Sequence, residues 1–145
     1  EAPLDLIQLH GAETPERVAA VKARTGCGVI KALSVASAAD VAAHRTYIDT
    51  ADLILFDARP PSEPDAIPGG NGLAFDWRLL AGQTITLPWL LAGGLDEANL
   101  QDAVALTGAP AVDVSSRLET SPGIKDPARL ERLLTRARDL AGVSA

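Results

Sequence analysis

Leu53-Ile54-Leu55-Phe56-Asp57 opens the stretch that decides the fold; a Pro- and Gly-rich segment follows, then Gly69-Gly70-Asn71-Gly72 and Phe75-Asp76-Trp77. A short apolar run bounded by turn residues reads as a fully buried strand, and such strands belong to parallel α/β sheets. Asp57 then stands at a strand's C-terminal end, where the βα loops of parallel folds converge and ligands bind. That location makes Asp57 the leading acid/base candidate. The loop behind it is longer than a mere connection requires, as binding loops often are, and its glycines would let backbone approach a ligand closely.

Working outward, Leu4 to His10 reads as a strand closed by Gly11, and Thr14-Pro15-Glu16 supplies an N-cap, a first-turn proline and an acid for a helix running to Thr25 and stopped by Gly26. Val29 to Val35 is the next strand. Ser37 with Asp40 three residues on resembles a capping box and predicts a helix through Tyr47, on which His44 is expected to face solvent. Beyond the long loop, a short helix from Asp76 closes at Gly82, and Leu87 to Ala92 forms a strand ending in Gly93-Gly94. Asp96 is expected to cap a helix carrying Leu100 and Val104 inward. Ala111 to Val114 is a further strand, leading into Ser115-Ser116. Asp126-Pro127 opens a last helix, ending at Gly142, whose Leu130, Leu133, Leu134 and Ala137 fall at helical spacing. Opposite these leucines, Arg129, Glu131, Arg132, Arg136 and Arg138 read as a solvated face.

Five βα units with nearly apolar strands call for a parallel sheet covered by helices. Two architectures fit: an open doubly wound sheet, or part of a (β/α)₈ barrel. A whole barrel typically takes about 250 residues, and this chain has 145, enough for one domain, residues 1–145.

Composition narrows the function classes. The chain is 47% hydrophobic with a net charge of −6, and no basic run interleaved with aromatics suggests a nucleic-acid surface. No apolar run is long enough to span a bilayer, and no basic-then-apolar leader opens the chain. We therefore expect no nucleic-acid or membrane partner and a cytoplasmic protein. The one cysteine, Cys27, excludes an internal disulfide or a multi-cysteine metal site. There is no methionine, and Glu1-Ala2-Pro3 leads almost directly into a strand, so a leading segment is expected to be missing.

Taken together, Leu6-Ile7-Gln8-Leu9-His10-Gly11, Lys31-Ala32, Leu55-Phe56-Asp57, Gly69-Gly70-Asn71-Gly72 with Phe75-Asp76-Trp77, Leu91-Ala92-Gly93-Gly94-Leu95, Val112-Asp113-Val114-Ser115-Ser116 and Ser121-Pro122-Gly123-Ile124-Lys125-Asp126 resemble the phosphoribosylanthranilate isomerases of tryptophan biosynthesis. The motifs occur in the family's order and spacing from Leu4 to Leu140. The resemblance implies a partial (β/α)₈ TIM barrel, parallel strands four to eight with their helices, the first three units (roughly 60 residues at barrel spacing) being absent. Absent with them are the family's general-base cysteine, at the end of the first strand, and an arginine that helps hold the anthranilate carboxylate. Cys27, between a helix and a strand at the other end of the sheet, is no substitute.

The resemblance further implies an Amadori rearrangement of N-(5-phosphoribosyl)anthranilate without cofactor or metal. A general acid protonates the ribose ring oxygen so that the ring opens to a protonated Schiff base, and a base removes the proton from the neighbouring carbon. Asp57 matches the acid, which must be held protonated by burial or nearby anions. His10 and Asp113 match substrate-binding positions, and Gly93, Gly94, Ser115 and Ser116 match the phosphate loops after the last two strands. Arg117 departs from the family's usual glycine: either the backbone there needs no positive φ, or the loop is arranged differently, with the guanidinium reaching or filling the phosphate space.

Two other readings are distinguishable. A catalytically inactive partial barrel would act as an assembly partner, its open edges driving homo-oligomerisation or strand exchange. A small phosphate-binding module of another kind would keep Gly93-Gly94 and need no acid at position 57.

Overall fold

The computed structural model describes residues 3–58 and 74–142; Gly69-Gly70-Asn71-Gly72 lie outside the described residues. The elements are β1 (Leu6–Leu9), α1 (Pro15–Thr25), β2 (Gly28–Val35), α2 (Ala38–Ala42), β3 (Leu53–Ala58), β4 (Trp89–Leu91), α3 (Leu100–Thr107), β5 (Glu119–Ser121), β6 (Ile124–Lys125) and α4 (Pro127–Leu140). Strands β1 to β4 form one parallel sheet in sequence order. The expected fifth strand is reduced to a single parallel bridge, Leu91 to Val112, held by Leu91 N–H to Ala111 O at 3.0 Å and Asp113 N–H to Leu91 O at 2.8 Å. No reversal of strand order interrupts this sheet, so it lacks the switch point of a doubly wound fold.

Local chemistry sets most of the boundaries. Thr14 caps α1 through Arg17 N–H, Pro15 occupies the first turn, and Gly26 ends the helix at φ 71°. Ser37 and Asp40 form the expected reciprocal capping box. The helix they start is α-helical only to Ala42 and tightens into a 3₁₀ turn over Ala43–Tyr47. His44 sits in that turn and is buried rather than solvent-facing: its Nδ1–H donates to Val41 O at 2.8 Å, and its ring meets the Phe56 ring at 6.1 Å. The change of helix type redirects it, because a tighter turn alters which side chains face the sheet.

Further along, Asp76 caps a 3₁₀ turn over Trp77–Leu79. Asp96 builds the turn before α3 instead of capping that helix, accepting from Ala98 and Asn99 N–H; the helix begins only at Leu100. Between the fifth-strand bridge and α4, β5 and β6 form an antiparallel hairpin that helical periodicity did not foresee, although Pro122-Gly123 is a turn signal. On α4 only Leu133 is buried, with Ala137 packed beside it, whereas Leu130 and Leu134 are exposed. Three charged residues of the opposite face make ties: Arg132 pairs with Glu97 at 2.8 Å, Arg129 donates to Glu119 O at 2.8 Å, and Arg136 donates to Gln101 Oε1.

The two faces of the sheet differ. Alternation along the strands sends Val29, Leu33, Val35, Ile54, Phe56 and Leu91 toward the helices, where they join the main core with Val18, Val41, Leu80, Leu95 and Ala103. The opposite face carries Ala32, Leu55 and Ala92, flanked by the partly buried Ile30 and Leu90. By the same alternation and register, Leu6, Gln8, Leu53 and Asp57 share that face, and Leu6 is 43% exposed. No described helix covers it.

Phe56 anchors the covered face, wholly buried with Trp89 edge-on at 5.6 Å and His44 edge-on at 6.1 Å. Truncating a buried aromatic loses its transfer free energy and leaves a cavity. Phe56→Ala is expected to lower unfolding free energy by about 3–5 kcal/mol, read from denaturant midpoints at unchanged slope.

Candidate active site

The site lies where the strands end. Asp57 is the penultimate residue of β3, on the face opposite the helices and in register with Ser34 of β2. The residue is 7% exposed. Its Oδ1 accepts the N–H of Ala58 at 2.8 Å, and Oδ2 lies 3.5 Å from Nε2 of His10, the residue after β1. Burial pushes the Asp57 carboxyl above its usual range; the Ala58 N–H and His10 pull it partly back, and the charge of Asp113 adds to the rise. His10 Nε2 is itself buried, and among the described residues it has no hydrogen-bond partner. At 3.5 Å it feels the carboxylate's charge without a formed hydrogen bond.

Gly93 follows β4 with φ 86°. A Cβ there would stand 2.8 Å from Ala58 N and 3.0 Å from Asp57 Oδ1. The glycine is thus required twice, for its left-handed backbone and for the loop's passage directly over the acid. Gly94 also has positive φ, 65°, and its carbonyl accepts Asn99 Nδ2 at 2.9 Å. Asn99 Oδ1 in turn accepts Asp96 N–H at 2.9 Å, so this side chain closes the Gly93–Asp96 loop. An asparagine before an apolar helical run was the available signal for it.

Asp113 is half-buried one residue beyond the Leu91–Val112 bridge. Ser115 and Ser116 follow it. Lys125 Nζ donates to Ser115 Oγ at 2.8 Å and to Ser115 O at 3.1 Å while pairing with Glu119 Oε1 at 2.6 Å. The β5–β6 hairpin thereby sets a cation on the serine loop, a contribution that only its pairing register reveals. Arg117 occupies a 3₁₀ turn over Ser116–Leu118, and among the described residues every positive φ is a glycine's. The backbone at position 117 therefore needs no glycine. Cys27 lies at the opposite end of the sheet, its thiol donating to Leu4 O at 3.2 Å.

Asp57, His10, Gly93 and Asp113 are thus brought together by contact or charge, with the serine loop two residues beyond Asp113. A buried carboxyl whose pKa is raised, beside an imidazole nitrogen without a hydrogen-bond partner among the described residues and glycine backbone, suits proton transfer to a bound polar ligand. The family model for N-(5'-phosphoribosyl)anthranilate isomerase matches residues 1–136. The chain belongs to the phosphoribosylanthranilate isomerase family.

Curated relatives agree. The N-(5'-phosphoribosyl)anthranilate isomerase of Paracoccus denitrificans is 59% identical over 135 residues, 93% of this chain and 62% of the relative. That of Rhodospirillum centenum is 57% identical over 138 residues, 95% of this chain and 64% of the relative. The chain therefore spans somewhat less than two thirds of the length of these relatives. Among solved structures, phosphoribosylanthranilate isomerase from Thermotoga maritima superposes with a TM-score of 0.77 at 32% identity, covering 94% of this chain and 62% of that one. A phosphoribosylanthranilate isomerase in complex with reduced 1-(o-carboxyphenylamino)-1-deoxyribulose 5-phosphate matches with a TM-score of 0.69 at 28% identity, covering 94% of this chain and 60% of that one.

The close approach at Gly93 is testable against Gly82, which has φ 70° but open space where a Cβ would go. Gly82→Ala is expected to cost about 1–2 kcal/mol, the left-handed penalty alone. Gly93→Ala is expected to cost more than this and to displace the Asp57 and Ala58 amide resonances in an ¹⁵N correlation spectrum. Equal costs would show that the contact over Asp57 is not tight.

Proposed function

We propose that this chain supplies the acid half and the phosphate loops of a phosphoribosylanthranilate isomerase, acting on N-(5-phosphoribosyl)anthranilate in tryptophan biosynthesis. The observation that carries the reading is Asp57: a carboxyl raised by burial, at a strand's C-terminal end, in a chain of this family. In this reading Asp57 protonates the ribose ring oxygen. The C–O bond opens, electrons from the anilino nitrogen form the protonated Schiff base, and loss of the neighbouring carbon's proton to a base gives the enolamine that becomes the aminoketose. These are proton transfers within one substrate, so the reading assigns no cofactor and no metal.

His10 and Asp113 are assigned to the substrate. The unpartnered His10 Nε2 supports this, since a buried polar atom left open at a site favours a ligand partner. Gly93, Gly94, Ser115 and Ser116 are assigned to the phosphate, supported by the open glycine backbone and the Lys125 cation on Ser115.

The architecture proposed for residues 1–145 is one domain formed by strands four to eight of a (β/α)₈ barrel. Its support is a sheet in unbroken sequence order with helices on one face and none described on the other, the face that would line a barrel. The base then comes from units preceding these five. Open strand edges and the uncovered face favour association with those units or with a second copy. A solved relative from Thermotoga maritima is described as monomers generated from a dimeric phosphoribosylanthranilate isomerase. A cytoplasmic setting suits the biosynthetic role; among the described residues no helix is long and apolar enough to cross a membrane.

Asp57→Asn keeps the volume and removes the acid. In a polypeptide that includes the preceding units, the expected loss in kcat is about 10²–10⁴-fold, and the activity of the unaltered site is expected to fall as pH rises through the raised Asp57 pKa. Stability should move the other way. A carboxyl whose folded pKa is raised stabilises the fold fully below its ordinary value, 3.8, and that stability is lost as pH climbs through the folded value. Asp57→Asn is therefore expected to be more stable than the parent at pH 7, with the difference vanishing at the acid end of a denaturation series. Undiminished turnover by the variant would refute the assignment.

A further inference from the structure

We infer that Lys31 is the positioning residue of the His10–Asp57 pair, acting together with Glu13 through the residues on either side of His10. The inference rests on the reading of Asp57 as the acid and His10 as a substrate-binding residue, and adds a residue with no contact to either side chain.

Lys31 lies on the helix-covered face of β2, directly opposite Leu9 in the sheet register, and is 1% exposed. An ammonium so buried must be surrounded by acceptors. Its Nζ donates to Gly11 O at 2.7 Å, to Glu13 Oε2 at 2.9 Å and to Ala32 O at 2.9 Å, with Leu9 O at 3.5 Å. Two of these oxygens belong to the residues flanking His10. Glu13 completes the clamp from its other side: both its carboxylate oxygens accept the Gly11 N–H, at 3.1 and 3.0 Å. Gly11 leaves the space this needs, since a Cβ there would stand 2.7 Å from Glu13 Oε1. The Tyr47 hydroxyl holds the Glu13 carbonyl at 2.9 Å, and the Tyr47 ring faces the ammonium at 5.8 Å.

The arrangement is costly as a source of stability. Buried ion pairs commonly return little against their desolvation, and well-packed apolar replacements of both partners are often neutral or stabilising. Its geometric effect is specific instead. The chain leaves β1 after Leu9, and the clamp fixes the next two peptide groups so that the His10 imidazole turns toward the sheet's other face, with Nε2 3.5 Å from Asp57 Oδ2. Without it, His10 would begin a glycine-hinged loop. The titratable groups around Lys31 are Glu13 and the Tyr47 phenol, and those around Asp57 are His10 and Asp113.

The test reads Asp57 directly, through the pH titration of its ¹³C-labelled side-chain carboxyl by NMR, and needs no turnover. His10 holds the Asp57 pKa down, so releasing the imidazole raises it. Lys31→Met is expected to move the Asp57 midpoint upward, as His10→Asn does, and the double variant to move it no further than His10→Asn alone, the signature of action through His10. Lys22→Met, which breaks the Lys22–Asp52 pair at the opposite end of the sheet, should leave the midpoint in place. Should Lys31→Met fold poorly, Gly11→Ala keeps the lysine and disturbs the clamp through Glu13, with an upward shift again expected. A folded Lys31→Met or Gly11→Ala protein with an unmoved Asp57 midpoint would overturn the inference, as would a double variant that shifts by the sum. Where the preceding units are supplied, Lys31→Met is expected to lower kcat by up to about 10²-fold with KM retained, the scale of a small misplacement of a reacting group. An absence of isomerase activity in the parent would tell against the proposed function and leave the titration result standing.

Discussion

The passage of Gly93 over Asp57 and Ala58 is the constraint on which the rest of the site depends. Backbone this close to a carboxylate removes water from one side of it, and the apolar strand Leu53–Phe56 removes water from beneath. Desolvation is the leading cause of the raised Asp57 pKa, and that desolvation is built from the sheet itself: β3 and β4 are adjacent and parallel, so the loop leaving β4 turns directly above the end of β3. The raised carboxyl is therefore a product of topology more than of any one neighbour. A charged partner would have produced the opposite effect, as it does at Asp52, whose pKa is lowered through its contact with Lys22.

A division of labour between the sheet's faces follows. The helix-covered face carries the stabilising core around Phe56, and it also hides Lys31, whose bonds reach around the end of β1. The other face carries the candidate site. Its apolar residues Leu55 and Ala32 lie beneath Asp57 with Ala92 beside it, and toward its far end Leu6 is left in the open.

Much of this was legible in the sequence because the relevant signals are local. Apolar runs between turn residues located β2, β3 and β4, and the Thr14, Ser37 and Asp126 caps are single-residue chemistry that the structure reproduces. Asp57 and Gly93 were legible as a strand-end acid and a glycine pair. What escaped depends on contacts distant in sequence. His44 looked solvated until a 3₁₀ turn placed it against Phe56, and Leu130 and Leu134 look like core on a helical wheel although the described fold gives them no neighbour to bury against. Asn99 and Lys125 hold their loops by hydrogen bonds that no periodicity encodes. Lys31 is the clearest case, because a lysine within an apolar strand reads as a motif residue and acquires its purpose only when Gly11 and Glu13 are folded against it.

The most direct test of the account is where a ligand of the proposed reaction lands. Titrating ¹⁵N-labelled protein with reduced 1-(o-carboxyphenylamino)-1-deoxyribulose 5-phosphate, the compound bound in the solved relative, should perturb the amides of His10, Asp57, Gly93, Gly94, Asp113, Ser115 and Ser116 and leave those of α1 and the Cys27 end of the sheet unchanged. Perturbations confined to the opposite end of the strands, or spectra unaltered at saturating ligand, would contradict it.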